Sequence, residues 1–351
     1  MADMAKKAFY RAYQKTFMVA ECFFDWSEPE LLKGPGAVKE LPALVKSKGV
    51  SSVLVVTDKG LMGLNLLAGL FEQLDAQGIK YTVYDGVQPN PSIENIEEAR
   101  RLYLKNGCEG IIAFGGGSPM DCAKAAGARV MNPNQSVSQM RGELKIRHKL
   151  PPFFAVPTTA GTGSETTLAA VVTNMQTHEK YAINDPKLRP KYAVLDPELT
   201  TGLPQKITST TGMDALTHAV EAYIGLSGVK STDDYAERAT KLIFENLETA
   251  YNDGKNLQAR ENMLVASFYA GMAFTRAYVG YVHAIAHNLG GIYGTPHGLA
   301  NAVILPHVLE YYGDTAYEKL AKLAEIVGVG GYSQDETKAY KELNVDLDKY
   351  T

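Results

Sequence analysis

Short apolar runs alternate with amphipathic stretches through the first half of the chain. Four apolar runs, several of them rich in β-branched residues, predict buried strands: residues 52–57, 80–84, 110–114 and 153–156. Between them, residues 61–77 and 92–106 show helical spacing, and each ends at a glycine, Gly78 or Gly107. This β-α-β-α order predicts a parallel, Rossmann-like sheet with helices on both faces.

The second half of the chain has a different pattern, because strand signals disappear from Gln205 onward. Helical spacing predicts four helices: residues 214–224, 232–251, 256–276 and 282–289. Before them, two extended runs between Tyr181 and Asp196 suggest a hairpin-like excursion. We therefore expect an α/β domain over residues 1–204 and an all-helical domain over residues 205–351, with the boundary near Leu203 and Pro204.

Composition narrows the range of functions. The chain has 351 residues, which suffice for two domains. Its net charge is −4, and it has no basic cluster that includes aromatic residues, so nucleic acid is not expected as a partner. Three cysteines without a CxxC pair indicate a reducing compartment, the cytoplasm. Residues 1–20 are amphipathic and basic, and we expect a helix packed on the protein or on a partner subunit rather than a membrane anchor.

Histidines are concentrated between Gly280 and His307. His283 and His287 are four residues apart and share a helix face, which Gly290 and Gly291 are expected to end. The turn formed by Pro296, His297 and Gly298 presents another imidazole. Imidazoles in an apolar setting indicate a divalent metal site, although each of them alone is also compatible with a hydrogen-bonded core histidine.

Asp214 and His218 are also four residues apart, among small and apolar neighbours. A buried aspartate needs a partner, which a metal supplies; a surface Asp–His pair is the alternative. One carboxylate with several imidazoles suits Fe(II) or Zn(II), and the sequence does not choose between them. The pair His283 and His287 lacks the glutamate of an HExxH protease, which excludes a zincin.

Three polar loops follow predicted strands. Residues 115–121, GGGSPMD, open a helix for which Ser118 suits the N-cap, Pro119 the first position and Asp121 the reciprocal cap. Such a helix start favours an anion such as a dinucleotide pyrophosphate, although GxGxxG is absent and a tight turn is the alternative. Asp58 suits the ribose hydroxyls or a helix cap, and residues 157–165 suit a cofactor or a plain capped turn.

These motifs together resemble the iron-dependent alcohol dehydrogenase family over about Leu32 to Val327. The resemblance implies a dehydroquinate synthase-like fold, and it implies these metal ligands: Asp214, His218, His283 and His297. It places His287 beside the metal, near the substrate, whereas spacing alone makes His287 a ligand. It also implies NAD contacts at these residues: Asp58, Asn90, Gly116, Gly117, Ser118, Thr158, Thr159, Thr162 and Lys180.

The chain departs from the family pattern at both ends. The first thirty or so residues form an extension, and residues 330–351 stop short of the family's usual helical end. We expect an NAD-linked, metal-dependent dehydrogenase for a small primary alcohol or diol, assembled as a homodimer or larger homo-oligomer, with Fe(II) favoured over Zn(II). The rivals are a glycerol dehydrogenase or dehydroquinate-synthase-like enzyme, and a metal-binding scaffold without turnover. A dehydroquinate-synthase-like enzyme needs several basic residues near the metal, where only Arg276 is close in sequence.

Overall fold

The computed structural model describes residues 24–177 and 179–329. The predictions for residues 1–20, for residues 330–351 and for Cys22 lie outside this part. Cys108 and Cys122 are buried and free. None of the helices in the described ranges is long and apolar enough to cross a membrane.

Six parallel strands form the main sheet, in the order β1-β9-β6-β4-β2-β3. Their bounds are β1 Glu30–Lys33, β2 Ser52–Val56, β3 Lys80–Tyr84, β4 Gly110–Gly115, β6 Phe153–Pro157 and β9 Tyr192–Leu195. Strands β2, β4 and β6 are buried along their whole length, because helices cover both faces of the sheet. All strands being parallel, the loops after β2, β4 and β6 meet at one edge.

The helices of the first half are α1 Leu41–Ser47, α2 Lys59–Gly63, α3 Ala68–Ala76, α4 Ile93–Lys105 and α5 Gly117–Met131. Leu54 and Val56 pack in one core with α4 and α5, whereas Val53 and Val55 pack in a second core with α1 and α3. The predicted helix over 61–77 is wrong as a single element. Asn65 adopts a positive φ of 56° between α2 and α3, a conformation that a continuous helix excludes.

The hairpin predicted between Tyr181 and Asp196 is also wrong. A separate sheet contains β5 Gly142–Glu143, β7 Ala169–Asn174 and β8 Glu179–Asn184, in the order β5-β8-β7, and β8 pairs antiparallel with β7. The side chain of Asp185 caps a 3-10 turn directly after β8. The chain then enters the main sheet as β9, which pairs with β1 and β6.

The second half contains helices α6 Gln205–Ile224, α7 Lys230–Asn252, α8 Leu257–Ala277, α9 Tyr281–Tyr293, α10 His297–Tyr312 and α11 Tyr317–Val327. They share one hydrophobic core, to which α6, α7 and α8 contribute most of the residues. An α/β part followed by a helical part confirms the predicted fold class. Since the last strand ends at Leu195 and α6 begins at Gln205, a domain boundary near Leu203 is compatible with the fold and stays a prediction.

Candidate metal and cofactor site

A cleft of about 480 Å³ lies beside the carboxyl edge of the sheet. Its walls come from the first turn of α5, the loop after β6, strands β7 and β8, and helices α6, α8, α9 and α10. The loop after β6 packs closely on the helical part, because a Cβ on Gly161 would lie 2.7 Å from the Thr211 carbonyl oxygen. Glycine in this loop therefore permits the approach that forms the cleft.

Close packing of α10 on α6 brings His297 to Asp214. A Cβ on Gly298 would lie 2.1 Å from the carbonyl oxygen of Thr210, so only glycine permits this approach. The sequence predicted that His297 lies in a turn, but it is the first residue of α10. Helix α9 also continues past the predicted stop at Gly290 and Gly291 to Tyr293, and the residue that caps it, Gly294, has the left-handed φ of 68° that suits a helix terminus.

Four potential ligand atoms converge at the helical wall of the cleft. One atom each from Asp214, His218, His283 and His297 lies within 4.8 Å of the others. Oδ1 of Asp214 is 3.4 Å from Nε2 of His297 and 3.8 Å from Nε2 of His283. The imidazoles of His218 and His283 stack with ring centroids 4.4 Å apart. Three nitrogens and one carboxylate at this separation form a donor set that suits a divalent cation.

The acceptor atoms of these four side chains have too few hydrogen-bond donors around them, which supports the fit of a cation. The amide Nδ2 of Asn301 lies 2.7 Å from Oδ1 of Asp214, 3.1 Å from Nε2 of His283 and 3.3 Å from Nε2 of His297. One amide has two hydrogens for these three atoms. Within the described part of the chain, the buried Nδ1 of His218 has no hydrogen-bond partner.

Burial sets the protonation of these groups. Desolvation lowers the pKa of His218 to about 3, and it also lowers the pKa of His297, so both rings are neutral near pH 7. Burial acts to raise the pKa of Asp214, but the neighbouring histidines and the hydrogen bond from Asn301 outweigh it and lower that pKa. His218 and His297 therefore offer neutral imidazoles and Asp214 offers a carboxylate, the protonation states that bind metal.

His287 lies one turn beyond His283 but outside this group of four. Its side chain is exposed to the cleft, and its ring stacks on that of His297 with centroids 5.1 Å apart. Desolvation, followed by the neighbouring His297 and His283, lowers the pKa of His287 to about 4. His287 is therefore a neutral imidazole that faces the open side of the centre.

Three residues predicted to bind the cofactor are linked at the cleft. The backbone N–H of Asn90 donates to Oγ of Ser118 at 3.2 Å, and Nζ of Lys180 donates to Oδ1 of Asn90 at 2.7 Å. The predicted N-cap is wrong, because Gly116 caps α5 and Ser118 lies inside the helix. The reciprocal cap is wrong too, since Asp121 accepts from the Ser164 hydroxyl instead.

The remaining predicted cofactor residues lie at the same edge. Gly117 and Thr162 line the cleft, whereas Asp58, Gly116, Thr158 and Thr159 do not. A Cβ on Gly116 would lie 3.2 Å from Oγ1 of Thr159, and the N–H of Thr158 donates to the Gly115 carbonyl oxygen. Asp58 accepts from the N–H of Leu61 and caps α2, as its alternative interpretation had it.

Several residues of the site were missed from the sequence. They are Phe24, Glu221, Phe274, Tyr278 and Asn301, of which Phe24, Phe274 and Tyr278 line the cleft. Asn301 lies four residues after His297 on α10, so helical spacing carried a signal for it. Phe24 precedes the first strand, and nothing in its local sequence indicated the cleft.

The structure thus combines a parallel-sheet part, a helical part with a cluster of one carboxylate and three histidines, and a glycine-bearing helix start in the same cleft. Two family models match the chain: iron-containing alcohol dehydrogenase over residues 29–197, and the C-terminal part of that family over residues 208–349. The chain therefore belongs to the iron-containing alcohol dehydrogenase family. It is an enzyme that interconverts alcohols and aldehydes, and its family implies a metal and NAD.

Relatives with known structures or activities agree with this membership. The chain is 43% identical to 1,3-propanediol dehydrogenase from Klebsiella pneumoniae over 308 residues, 87% of this chain and 79% of the relative. It is 38% identical to lactaldehyde reductase from Escherichia coli (strain K12) over 87% of this chain and 80% of the relative. A crystal structure of 1,3-propanediol oxidoreductase superimposes with a TM-score of 0.90 at 40% identity, covering 93% and 86% of the two chains.

Proposed function

We propose that the chain transfers a hydride reversibly between NAD(H) and a small primary alcohol or diol, at a metal centre formed by Asp214, His218, His283 and His297. The observation that carries the proposal is the convergence of one carboxylate and three imidazoles within 4.8 Å, in the cleft that Gly117 and Ser118 also line.

The four side chains suit the role of ligands because they offer lone pairs from neutral imidazoles and an anionic oxygen. When bound, a divalent cation supplies Lewis-acid chemistry that lowers the pKa of a substrate hydroxyl. Fe(II) and Zn(II) both suit this donor set, and we propose Fe(II) on the basis of the family. The carboxylate of Asp214 would balance part of the cation's charge. A substrate hydroxyl would therefore ionise less readily here than beside a cation held by three neutral imidazoles alone.

His287 is proposed as the group that accepts the hydroxyl proton at a ring nitrogen. Its imidazole is neutral, exposed to the cleft and beside His297, which gives it access to a substrate held at the centre. The alternative role is that of a wall, in which His287 only packs on the nicotinamide or the substrate. The two roles predict different kinetic effects of its removal.

The cofactor is proposed to lie along the carboxyl edge of β2, β4 and β6. The N-terminus of α5, with Gly116 and Gly117, offers backbone N–H groups to the pyrophosphate, and Ser118 and Lys180 border it. The other proposed contacts are Asp58, Asn90, Thr158, Thr159 and Thr162. NAD supplies the hydride acceptor, whereas these residues bind and orient it.

Substrate size is proposed to follow from the aromatic lining of the cleft. Phe24, Phe274 and Tyr278 line the cleft, and the ring of Phe274 stacks on that of His218 with centroids 4.0 Å apart, an aromatic lining that suits a short carbon chain. Similarity to a propanediol dehydrogenase and a lactaldehyde reductase favours three-carbon diols and hydroxyaldehydes. We also propose a cytoplasmic homo-oligomer, as expected for this family.

A steady-state assay tests this function. The protein is stripped with a chelator, reconstituted anaerobically with Fe(II) or Zn(II), and supplied with NAD and a panel of ethanol, 1-propanol, 1,2-propanediol, 1,3-propanediol and glycerol. We expect NAD reduction with the short alcohols and diols, and none with the stripped protein. NAD reduction that is absent with every alcohol, or that is the same without metal, contradicts the proposal, and a strong preference for glycerol favours the glycerol dehydrogenase alternative.

A further inference from the structure

A buried carboxylate forms a hydrogen bond with one of the candidate metal ligands. Oε2 of Glu221, on α6, lies 2.6 Å from Nδ1 of His283, on α9. The other oxygen, Oε1, accepts from the backbone N–H of Val282 at 2.7 Å. Both side chains are almost fully buried, at 1% and 2% exposure, so water does not compete for these bonds.

This contact determines which ring nitrogen of His283 is free. A carboxylate only accepts hydrogen bonds, so Nδ1 carries a proton, and Nε2, which lies 3.1 Å from the amide nitrogen of Asn301, offers its lone pair to that donor. Nε2 is the atom that faces Asp214 and the other candidate ligands. The orientation of the ring and its tautomer are thus both set by Glu221.

Backbone geometry at the start of α9 admits the carboxylate. A Cβ on Gly280 would lie 2.8 Å from Oε1 of Glu221, a distance that side chains do not tolerate. Gly280 is the N-cap residue of α9, whose first N–H groups have no partner within the helix. Glu221 therefore satisfies one of these donors and fixes the helix that carries His283.

We propose that Glu221 is the positioning residue of the metal centre: it holds His283 as the Nδ1-protonated tautomer and thereby raises the affinity of the site for a divalent cation. This inference rests on the proposed metal centre. Carboxylates that accept from metal-bound histidines act in this way, and their loss lowers metal affinity by about 10- to 100-fold. Nothing else in the described part of the chain hydrogen-bonds to Nδ1 of His283.

The substitution Glu221→Gln tests the proposal with Co(II) as the probe. A glutamine has one acceptor oxygen, so it serves either Val282 or His283, and its NH₂ group opposes the second donor. We expect the Co(II) dissociation constant, measured by competition with a chelator, to rise by about 10- to 100-fold and the visible Co(II) absorption bands to shift. Glu237→Gln is the matched control, because Glu237 bonds Tyr223 and Lys322 but contacts no candidate ligand.

The outcomes separate this inference from the function on which it rests. A wild-type protein that binds no Co(II) contradicts the metal centre and the inference together. A wild-type protein that binds Co(II), with Glu221→Gln equal to it in affinity and spectrum, overturns the inference alone. Should Glu221→Gln not fold, Gly280→Ala displaces the carboxylate without removing any polar group, and the same loss of affinity is expected; wild-type affinity in that variant overturns the inference.

Discussion

Asp58 has two roles that substitutions can separate: it caps a helix, and its charge is expected to disfavour NADP. Its Oδ1 accepts from the N–H of Leu61 at 3.0 Å and caps α2, and its charge lies at the edge proposed for NAD. Serine is as good an N-cap as aspartate, so Asp58→Ser keeps the cap and removes the charge. Asp58→Gly removes both at a cost of a few tenths of a kcal/mol.

The expected size of the effect follows from the surroundings of Asp58, which is partly exposed. Two unit charges about 6 Å apart repel by about 0.7 to 3 kcal/mol for an effective dielectric constant between about 80 and 20. A 2′-phosphate carries a charge of about −1.5 to −2 near pH 7, by analogy with other phosphomonoesters. The carboxylate therefore disfavours NADP by about 1 to 5 kcal/mol, a factor of roughly 5 to 5 × 10³.

The assay is kcat/KM for NAD and for NADP at a fixed alcohol concentration, at low and high salt. We expect wild type to prefer NAD, and both variants to reduce the NAD/NADP ratio by at least about 5-fold, with a smaller effect at high salt. An unchanged ratio in both variants would refute the reasoning and leave Asp58 as a helix cap alone. Equal use of NAD and NADP by wild type would refute it directly.

Three further predictions concern other parts of the chain. His287→Ala is expected to retain the metal and lose about 10²-fold in kcat; a variant that changes KM but keeps kcat identifies His287 as a wall, and loss of metal identifies it as a ligand. Burial raises the pKa of Glu165 from 4.5 to about 7, so this carboxyl costs roughly 3 kcal/mol of stability as pH rises from about 4.5 to 7. The melting temperature of Glu165→Gln minus that of wild type is therefore expected to be larger at pH 8 than at pH 4.5. An equal difference at both pH values contradicts this. Gly271→Ala would place a Cβ 2.2 Å from Oγ1 of Thr166, so we expect a loss of about 1–3 kcal/mol, and an unchanged melting temperature contradicts that packing.

The sequence predicted the elements whose pattern is local. Apolar runs such as residues 110–114 identified strands, and the four-residue spacing of Asp214 and His218 correctly put both on one buried helix. It did not predict β1, a four-residue edge strand whose place depends on pairing with β9 from the other end of the domain. Long-range pairing of that kind leaves no local signal.

The same limit applies to the histidines. Spacing favours His287 over His297 as the partner of His283, because residues four apart share a helix face. The fold instead brings His297 to 3.4 Å from Asp214, because Gly298 lets α10 approach α6. The family resemblance implied this arrangement of residues, and spacing alone did not.

Metal content tests the central claim most directly. Wild type, His297→Ala and His307→Ala are loaded anaerobically with Fe(II), desalted and measured by elemental analysis; His307 is the control because it is exposed on the same helix and outside the group of four. We predict about one metal ion per chain in wild type and in His307→Ala, the occupancy of a four-ligand site, and clearly less in His297→Ala. Full occupancy in His297→Ala would contradict the account.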